Sequence, residues 1–245
     1  MINIKNLHKS FDNKIVLDGL NLEIEKGSSS VIIGGSGTGK SVLIKCILGL
    51  IVPESGKIEI NNKTIFDKGN YIHSNKTKIG MLFQGGALFD SLKIWQNVSF
   101  YHIQKGKKKK FCYDNAVSNL EKVGLDYKSA NLYPSEISGG MQKRVALARA
   151  IAIEPDIIFF DEPTTGLDPI NADIINKLII EKVKDIGATS LTITHDMISA
   201  RTIADKIHML HKGRIIWEGD KFEIENTDNP YVIQFINGYS EGPIN

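Results

Sequence analysis

Eight consecutive residues, Gly34-Gly35-Ser36-Gly37-Thr38-Gly39-Lys40-Ser41, fulfil the pattern GxxxxGK[ST]. In such a loop the glycines let backbone N–H groups turn inward around phosphate oxygens, and the helix that follows directs its positive end at them. Lys40 then reaches the β- and γ-phosphates, and the Ser41 hydroxyl is a ligand for Mg²⁺. A second candidate group is Asp161-Glu162, which closes the apolar run Ile157-Ile158-Phe159-Phe160. Asp161 would hold Mg²⁺ through water, and Glu162 would orient and activate the water that attacks the γ-phosphate. Without the phosphate loop the same two acids would read as surface caps of a strand end.

Ser138-Gly139-Gly140 stands before a helical pattern that begins near Met141. Ser138 can cap that helix, and the two glycines leave its N–H groups approachable. Taken alone the triplet is an ordinary N-cap. Beside a complete phosphate loop it is a second anion-binding helix start, and one chain needs only one for its own triphosphate. The spare start therefore points to a nucleotide held by another copy. Asp168 is the N-cap before Pro169, a role compatible with a contact across that interface. Gln84 follows a strand, where its amide could meet Mg²⁺ or the attacking water. His195 ends another strand and either hydrogen-bonds a γ-phosphate or is structural. Phe11 either stacks on adenine or packs in the core.

These residues need positioning elements. Ile2/Ile4 and Leu20/Leu22/Ile24 alternate with polar residues around Asp12-Asn13 and Lys26-Gly27, which predicts an N-terminal antiparallel β subdomain. Val31 to Ile33 then forms a strand, and Leu43, Ile47 and Leu50 give a helix stopped by the turn Pro53 to Gly56. Lys57 to Ile60 and Met81 to Phe83 are further strands. From about Trp95 to Pro134 the chain is Lys-rich and helical around Ala116, Leu120 and Val123, which predicts a helical insertion spanning about 88–153. Met141, Val145, Ala148 and Ala152 repeat at helical spacing. Ile157 to Phe160 suits a strand buried on both faces of a parallel sheet. A helix from Asp168-Pro169 to Gly187 would bury Ile170, Ile174, Leu178 and Val183. Ser190 to Thr194 is a strand, Lys212-Gly213 turns a hairpin, and the tail at about 225–245 is irregular. The alternation is that of an α/β fold with a largely parallel core sheet in a single domain over 1–245.

Composition narrows the partners. Across 245 residues, 30 Lys and Arg against 28 Asp and Glu leave a formal charge of +2, so the overall balance carries no nucleic-acid footprint. No apolar stretch approaches 18 residues, so any membrane-spanning partner is a separate chain. Cys46 and Cys112 have no paired spacing, which argues against a disulfide and suits a reducing cytosol. The run Lys105 to Lys110 either touches anionic lipid or is a solvated loop.

In content and order these residues resemble the ATP-binding subunit of ABC transporters, a branch of the P-loop NTPases, over essentially the whole chain. Gly34 to Ser41 matches Walker A, Gln84 the Q-loop and Ser138-Gly139-Gly140-Met141-Gln142 the signature. Ile157 to Asp161 matches Walker B with Glu162 after it, Gly166-Leu167-Asp168 the D-loop, and His195 the switch histidine. The resemblance implies an ATP- and Mg²⁺-dependent ATPase that works as a head-to-tail homodimer. Each ATP lies between one Walker A and the opposite signature, and Phe11 takes the adenine-stacking position. A narrower resemblance is to the ATPase of Mla-type phospholipid transporters. It is carried by Met81 to Phe89, Ile137 to Met141, and Phe235 to Gly238 with Glu241 to Pro243; Ile137 in place of Leu and Thr164-Thr165 depart from it. It implies membrane permeases and an MCE-type lipid-binding partner, and a place on the cytoplasmic face of the inner membrane. The alternatives are the ATPase of another ABC system, such as an amino-acid transporter, or of a cell-division type.

Overall fold

The computed structural model describes residues 1–67, 69–72 and 77–244. In chain order the elements are β1 (Ile2–Phe11), β2 (Lys14–Ile24), β3 (Ser29–Ile33), α1 (Lys40–Ile47), β4 (Ser55–Ile60), β5 (Lys63–Asp67), β6 (Asn70–Tyr71) and β7 (Ile79–Leu82). There follow α2 (Ile94–Val98), α3 (Phe100–Gln104), α4 (Lys109–Lys122), α5 (Gly139–Ile151), β8 (Ile157–Asp161), α6 (Pro169–Ile186) and β9 (Thr189–Ile193). The chain closes with α7 (Met197–Ile203), β10 (Lys206–His211), β11 (Arg214–Gly219) and α8 (Pro230–Asn237). Two compact units divide it: Met1–Lys76 with Leu191–Asn245, and Thr77–Ser190.

The first unit opens with the expected antiparallel sheet, in the order β2-β1-β4-β5-β6 among the described residues. Ile2 and Ile4 face the core, and then Asn6 adopts a φ of 48° at a shift of register, which returns Leu7 to the buried face. β10 pairs with β11 antiparallel and with β3 parallel, and Lys212 and Gly213 turn the β10–β11 hairpin at positive φ. The helix after the phosphate loop is shorter than its periodicity suggests. It ends at Ile47, Gly49 takes a φ of 73°, and Leu50 is 63 % exposed, because a left-handed residue ends an α-helix whatever apolar residue follows. Ser55 and Gly56 belong to β4 rather than to the preceding turn.

The tail is not wholly irregular. The Asn229 side chain accepts from the backbone N–H groups of Tyr231 and Val232, Pro230 takes the first helical position, and Gly238 ends α8 at a φ of 66°. Cap, proline and glycine are the signals of this helix in the sequence, and the expectation of an irregular tail passed over them. Beyond it, the buried Gln234 amide pairs with both backbone groups of Ile244, donating to its carbonyl at 3.2 Å and accepting from its N–H at 2.7 Å.

In the second unit β7 and β8 run parallel, and every residue of β8 is buried. α5 packs against α2, α4 and β7. α6 runs between Asp168 and Gly187 as its caps predict, but its inner face is Ile175, Ile179 and Val183, while Ile170 is 74 % exposed. Isoleucines at both 174 and 175 and at both 179 and 180 offer two adjacent apolar stripes, and packing alone selects between them. Cys46 and Cys112 are buried and free. Among the described residues no helix is long and apolar enough to cross a membrane.

Candidate functional site

β3 delivers the phosphate loop from a core strand whose last four residues are buried. Gly34, Gly37 and Gly39 have φ values of 152°, 74° and 105°. At two of them a side chain is also excluded by space: a Cβ on Gly34 would lie 2.4 Å from the Leu210 carbonyl oxygen, and one on Gly39 would lie 2.8 Å from that of Val16. Gly39 is the N-cap of α1, so no side chain caps this helix and its first turn holds no acid. The helix start is left to backbone N–H groups, which is the donor set that phosphate oxygens require. The buried Lys40 ammonium donates to the carbonyls of Gly34 at 2.7 Å and Gly35 at 2.8 Å, and the Thr38 hydroxyl donates to Gly35 at 2.9 Å. Lys40 thus folds over the loop it belongs to and fixes its curvature.

Two other expected residues lie in this unit. The Thr194 N–H donates to the Ile32 carbonyl at 3.1 Å, so the chain leaves β9 toward His195 at the sheet edge where it leaves β3 toward Gly34. His195 is exposed there. Phe11 ends β1 at 42 % exposure with the Lys9 ammonium 4.9 Å from its ring centre, so core packing does not explain it.

The second unit gathers the acids. Leu82 pairs with Phe160 in parallel register, so Gln84 on one strand and Asp161 and Glu162 on the other leave the same edge. Both carboxylates are buried, and Glu162 sits at a φ of 49°, an uncommon conformation for a residue other than glycine and one that concentrates at functional sites. The Thr165 hydroxyl donates to Glu162 Oε2 at 3.0 Å, which fixes one carboxylate oxygen. The Gln84 amide oxygen and the Asp161 carboxylate, leaving one edge, offer hard-oxygen donors of the kind Mg²⁺ takes.

Ser138 caps α5 as expected, accepting from the Met141 N–H at 3.3 Å, and Gly139 is exposed at the helix start. Asp168 is the N-cap of α6, accepting from Ile170 and Asn171 N–H groups at 3.0 Å each. The Asn171 amide also donates to Asp168 Oδ2 at 2.6 Å; with the backbone bonds it holds the Asp168 carboxyl below its ordinary range. The same Asn171 side chain lies against Gly140, where an added Cβ would be 3.2 Å from its Oδ1. The starts of α5 and α6 are therefore physically joined, a link that neither motif announces.

Two basic residues went unrecognised in the sequence. Lys143 is 7 % exposed, and its ammonium donates to the Gln84 carbonyl and, at 3.5 Å, to the Glu162 carbonyl. Burial lowers its pKa, and the charges of Asp161 and Glu162 oppose that. Arg149 donates to the carbonyls of Gly86 at 2.6 Å and Ala87 at 2.7 Å. Helix α5 thus grips the segment after β7 at both ends. Lys143→Met leaves buried acceptors unmatched, a loss of about 1–3 kcal/mol. It is expected to lower the melting temperature and to reduce ATPase kcat at least tenfold, with Lys143→Arg recovering most of both; thermal denaturation and steady-state kinetics check this.

Comparison with known proteins gives these motifs a lineage. The profile of the family described as ABC transporter matches residues 17–165. The intermembrane phospholipid transport system ATP-binding protein MlaF of Haemophilus influenzae is 37% identical over 250 residues, covering 100% of this chain and 93% of its own. The "Probable ribonucleotide transport ATP-binding protein mkl" of Mycobacterium leprae is 39% identical over 99% of this chain and 70% of its own. Among solved structures, the ATP-binding cassette MJ0796, a dimer in a post-hydrolysis state bound to ADP and Pi, superposes with a TM-score of 0.80 at 31% identity over 90% of this chain and 99% of that one.

Proposed function

This chain belongs to the ABC transporter family and is an ATP-binding, ATP-hydrolysing subunit of it, and from that premise we propose that it drives phospholipid movement across the cell envelope. It would do so as a homodimer seated peripherally on the cytoplasmic face of the membrane, through separate permeases and an MCE-type lipid-binding partner. The observation that carries the reading is the full-length similarity to a phospholipid transport ATPase, on a chain that keeps each motif in place.

The residues take the following roles. The backbone N–H groups of Gly34 to Gly39 and the Lys40 ammonium bind the ATP phosphates, and Phe11 stacks on adenine. Ser41, Gln84 and Asp161 hold Mg²⁺, which when bound neutralises charge on the phosphates. Glu162, with one oxygen committed to Thr165, orients water and accepts its proton, and His195 donates to the γ-phosphate. Ser138, Gly139, Gly140 and Met141 present the exposed start of α5 to the nucleotide of the second copy, with Asp168 at the dimer contact. Binding closes the dimer, and hydrolysis reopens it. The helical insertion at about 88–153 carries α5 and its grip on Gln84, which suits it to pass this motion to a permease.

If Ser138 works across the dimer, mixing Ser138→Arg chains with Lys40→Ala chains creates one intact site per mixed dimer. ATPase activity is then recovered from two inactive preparations, and no recovery refutes the shared site. The transport reading is tested by a gentle detergent pull-down of the tagged chain with mass spectrometry of proteins and lipids. A permease, an MCE-type protein and phospholipid are expected. A different permease with a solute-binding protein, as an amino-acid or ribonucleotide transporter would give, keeps the motor and discards the lipid, and a cell-division partner discards transport.

A further inference from the structure

The run Lys105 to Lys110 divides in the structure. All of these lysines are exposed, but Lys105, Lys107 and Lys108 lie ahead of α4, whereas Lys109 and Lys110 enter its first turn and line a cavity of about 640 Å³ within the second unit. Lys93, from the start of α2, lines it as well, and Trp95 and Tyr113 contribute two aromatic rings. Three lysines thus line the cavity with a single acid, Asp114. Lys110 and Asp114 are four residues apart on one helix, yet among the described residues neither they nor Lys109 form an ion pair. No acid stands in the first turn of α4, so the helix dipole adds to the positive field of the lysines.

The aromatic side of the cavity is built and fixed. Trp95 and Tyr113 meet edge to face with ring centres 5.8 Å apart, and the Tyr113 hydroxyl accepts from the Asn131 amide at 3.1 Å. The Lys93 ammonium lies 5.9 Å from the Tyr133 ring centre, and the Lys93 N–H is held by Gln96 Oε1 at 2.9 Å. Concentrated positive charge beside a rigid apolar platform suits an anion that carries a hydrophobic or ring portion. None of these residues belongs to the set assigned to ATP.

We propose that this cavity binds a phosphate ester, with the phosphate among Lys93, Lys109 and Lys110 and its apolar part against Trp95 and Tyr113. A phospholipid headgroup and a soluble organic phosphate share that chemistry. The site does not depend on the transport reading and stands or falls by its own test. In full-length protein with Trp217→Phe, Trp95 is the sole tryptophan and reports the cavity. Its emission is titrated with dihexanoyl phosphatidic acid below its micelle concentration, with phenyl phosphate, and with inorganic phosphate.

A saturable change is expected with at least one ester, tighter than with inorganic phosphate. Tighter binding of the lipid identifies a headgroup site, and equal or tighter binding of phenyl phosphate identifies a soluble ligand. Replacing Lys93, Lys109 and Lys110 with Gln is expected to weaken binding at least tenfold. The charge-matched replacement of Lys105, Lys107 and Lys108 is expected to change it less than twofold. Equal losses in the two variants, or no saturable change with any probe, overturn the proposal.

Discussion

Glu162→Gln is expected to bind ATP as tightly as the unmodified chain while hydrolysing it about 10²- to 10⁴-fold more slowly, the range that a positioned general base supplies. The substitution is nearly isosteric, and the Gln carbonyl oxygen can still accept the Thr165 hydroxyl, so the local geometry at Oε2 survives. What is lost is the ability to take a proton from water. The left-handed backbone at this position constrains Gln as it constrains Glu, so the comparison isolates the carboxylate. Because hydrolysis reopens the dimer in the proposed cycle, the variant should also accumulate as an ATP-dependent dimer. Size-exclusion chromatography with and without ATP, beside a phosphate-release assay, reads both effects. Unchanged turnover would remove Glu162 from the role of base.

Lys40→Ala acts one step earlier and is expected to weaken nucleotide binding itself. A hydrogen bond to a charged group contributes about 1.5–3 kcal/mol, equivalent to about 10- to 150-fold in affinity. The structure adds a second loss. The Lys40 ammonium holds the carbonyls of Gly34 and Gly35, so its removal also frees the curvature that points the loop N–H groups inward. Lys40→Arg should therefore fail nearly as badly although the charge is kept, because a planar guanidinium does not fit a two-carbonyl cradle shaped for a compact ammonium. Titration with a fluorescent ATP analogue checks both variants. Affinity within twofold of the original in Lys40→Ala would overturn the assignment, and full affinity in Lys40→Arg would reduce the role of the lysine to charge alone.

Much of the site was legible because its chemistry is written in contiguous residues. A phosphate loop needs glycines where φ is positive or where a neighbouring backbone approaches closely, and Gly34 and Gly39 meet both conditions in place. A capped helix start needs Ser or Asp next to Gly or Pro, and Ser138 and Asp168 cap α5 and α6 as their neighbours suggested. Where local signals were short or doubled, they failed. The Asn229-Pro230 start and the Gly238 stop of α8 were passed over in a tail read as irregular, and the paired isoleucines of α6 allowed either of two faces.

The class of chemistry, the order of the motifs and the alternation of strand and helix can thus be read from the linear chain, because each rests on relations between near neighbours. It took the folded chain to show that Lys143 supports Gln84 from 59 residues away, that Arg149 holds Gly86 from 63, and that Lys109 and Lys110 share a cavity with Lys93 and Trp95. A lysine in a helical pattern reads the same whether it is solvated or buried. Its role is set by which distant carbonyls or rings the fold brings to it, and by how far that packing excludes water.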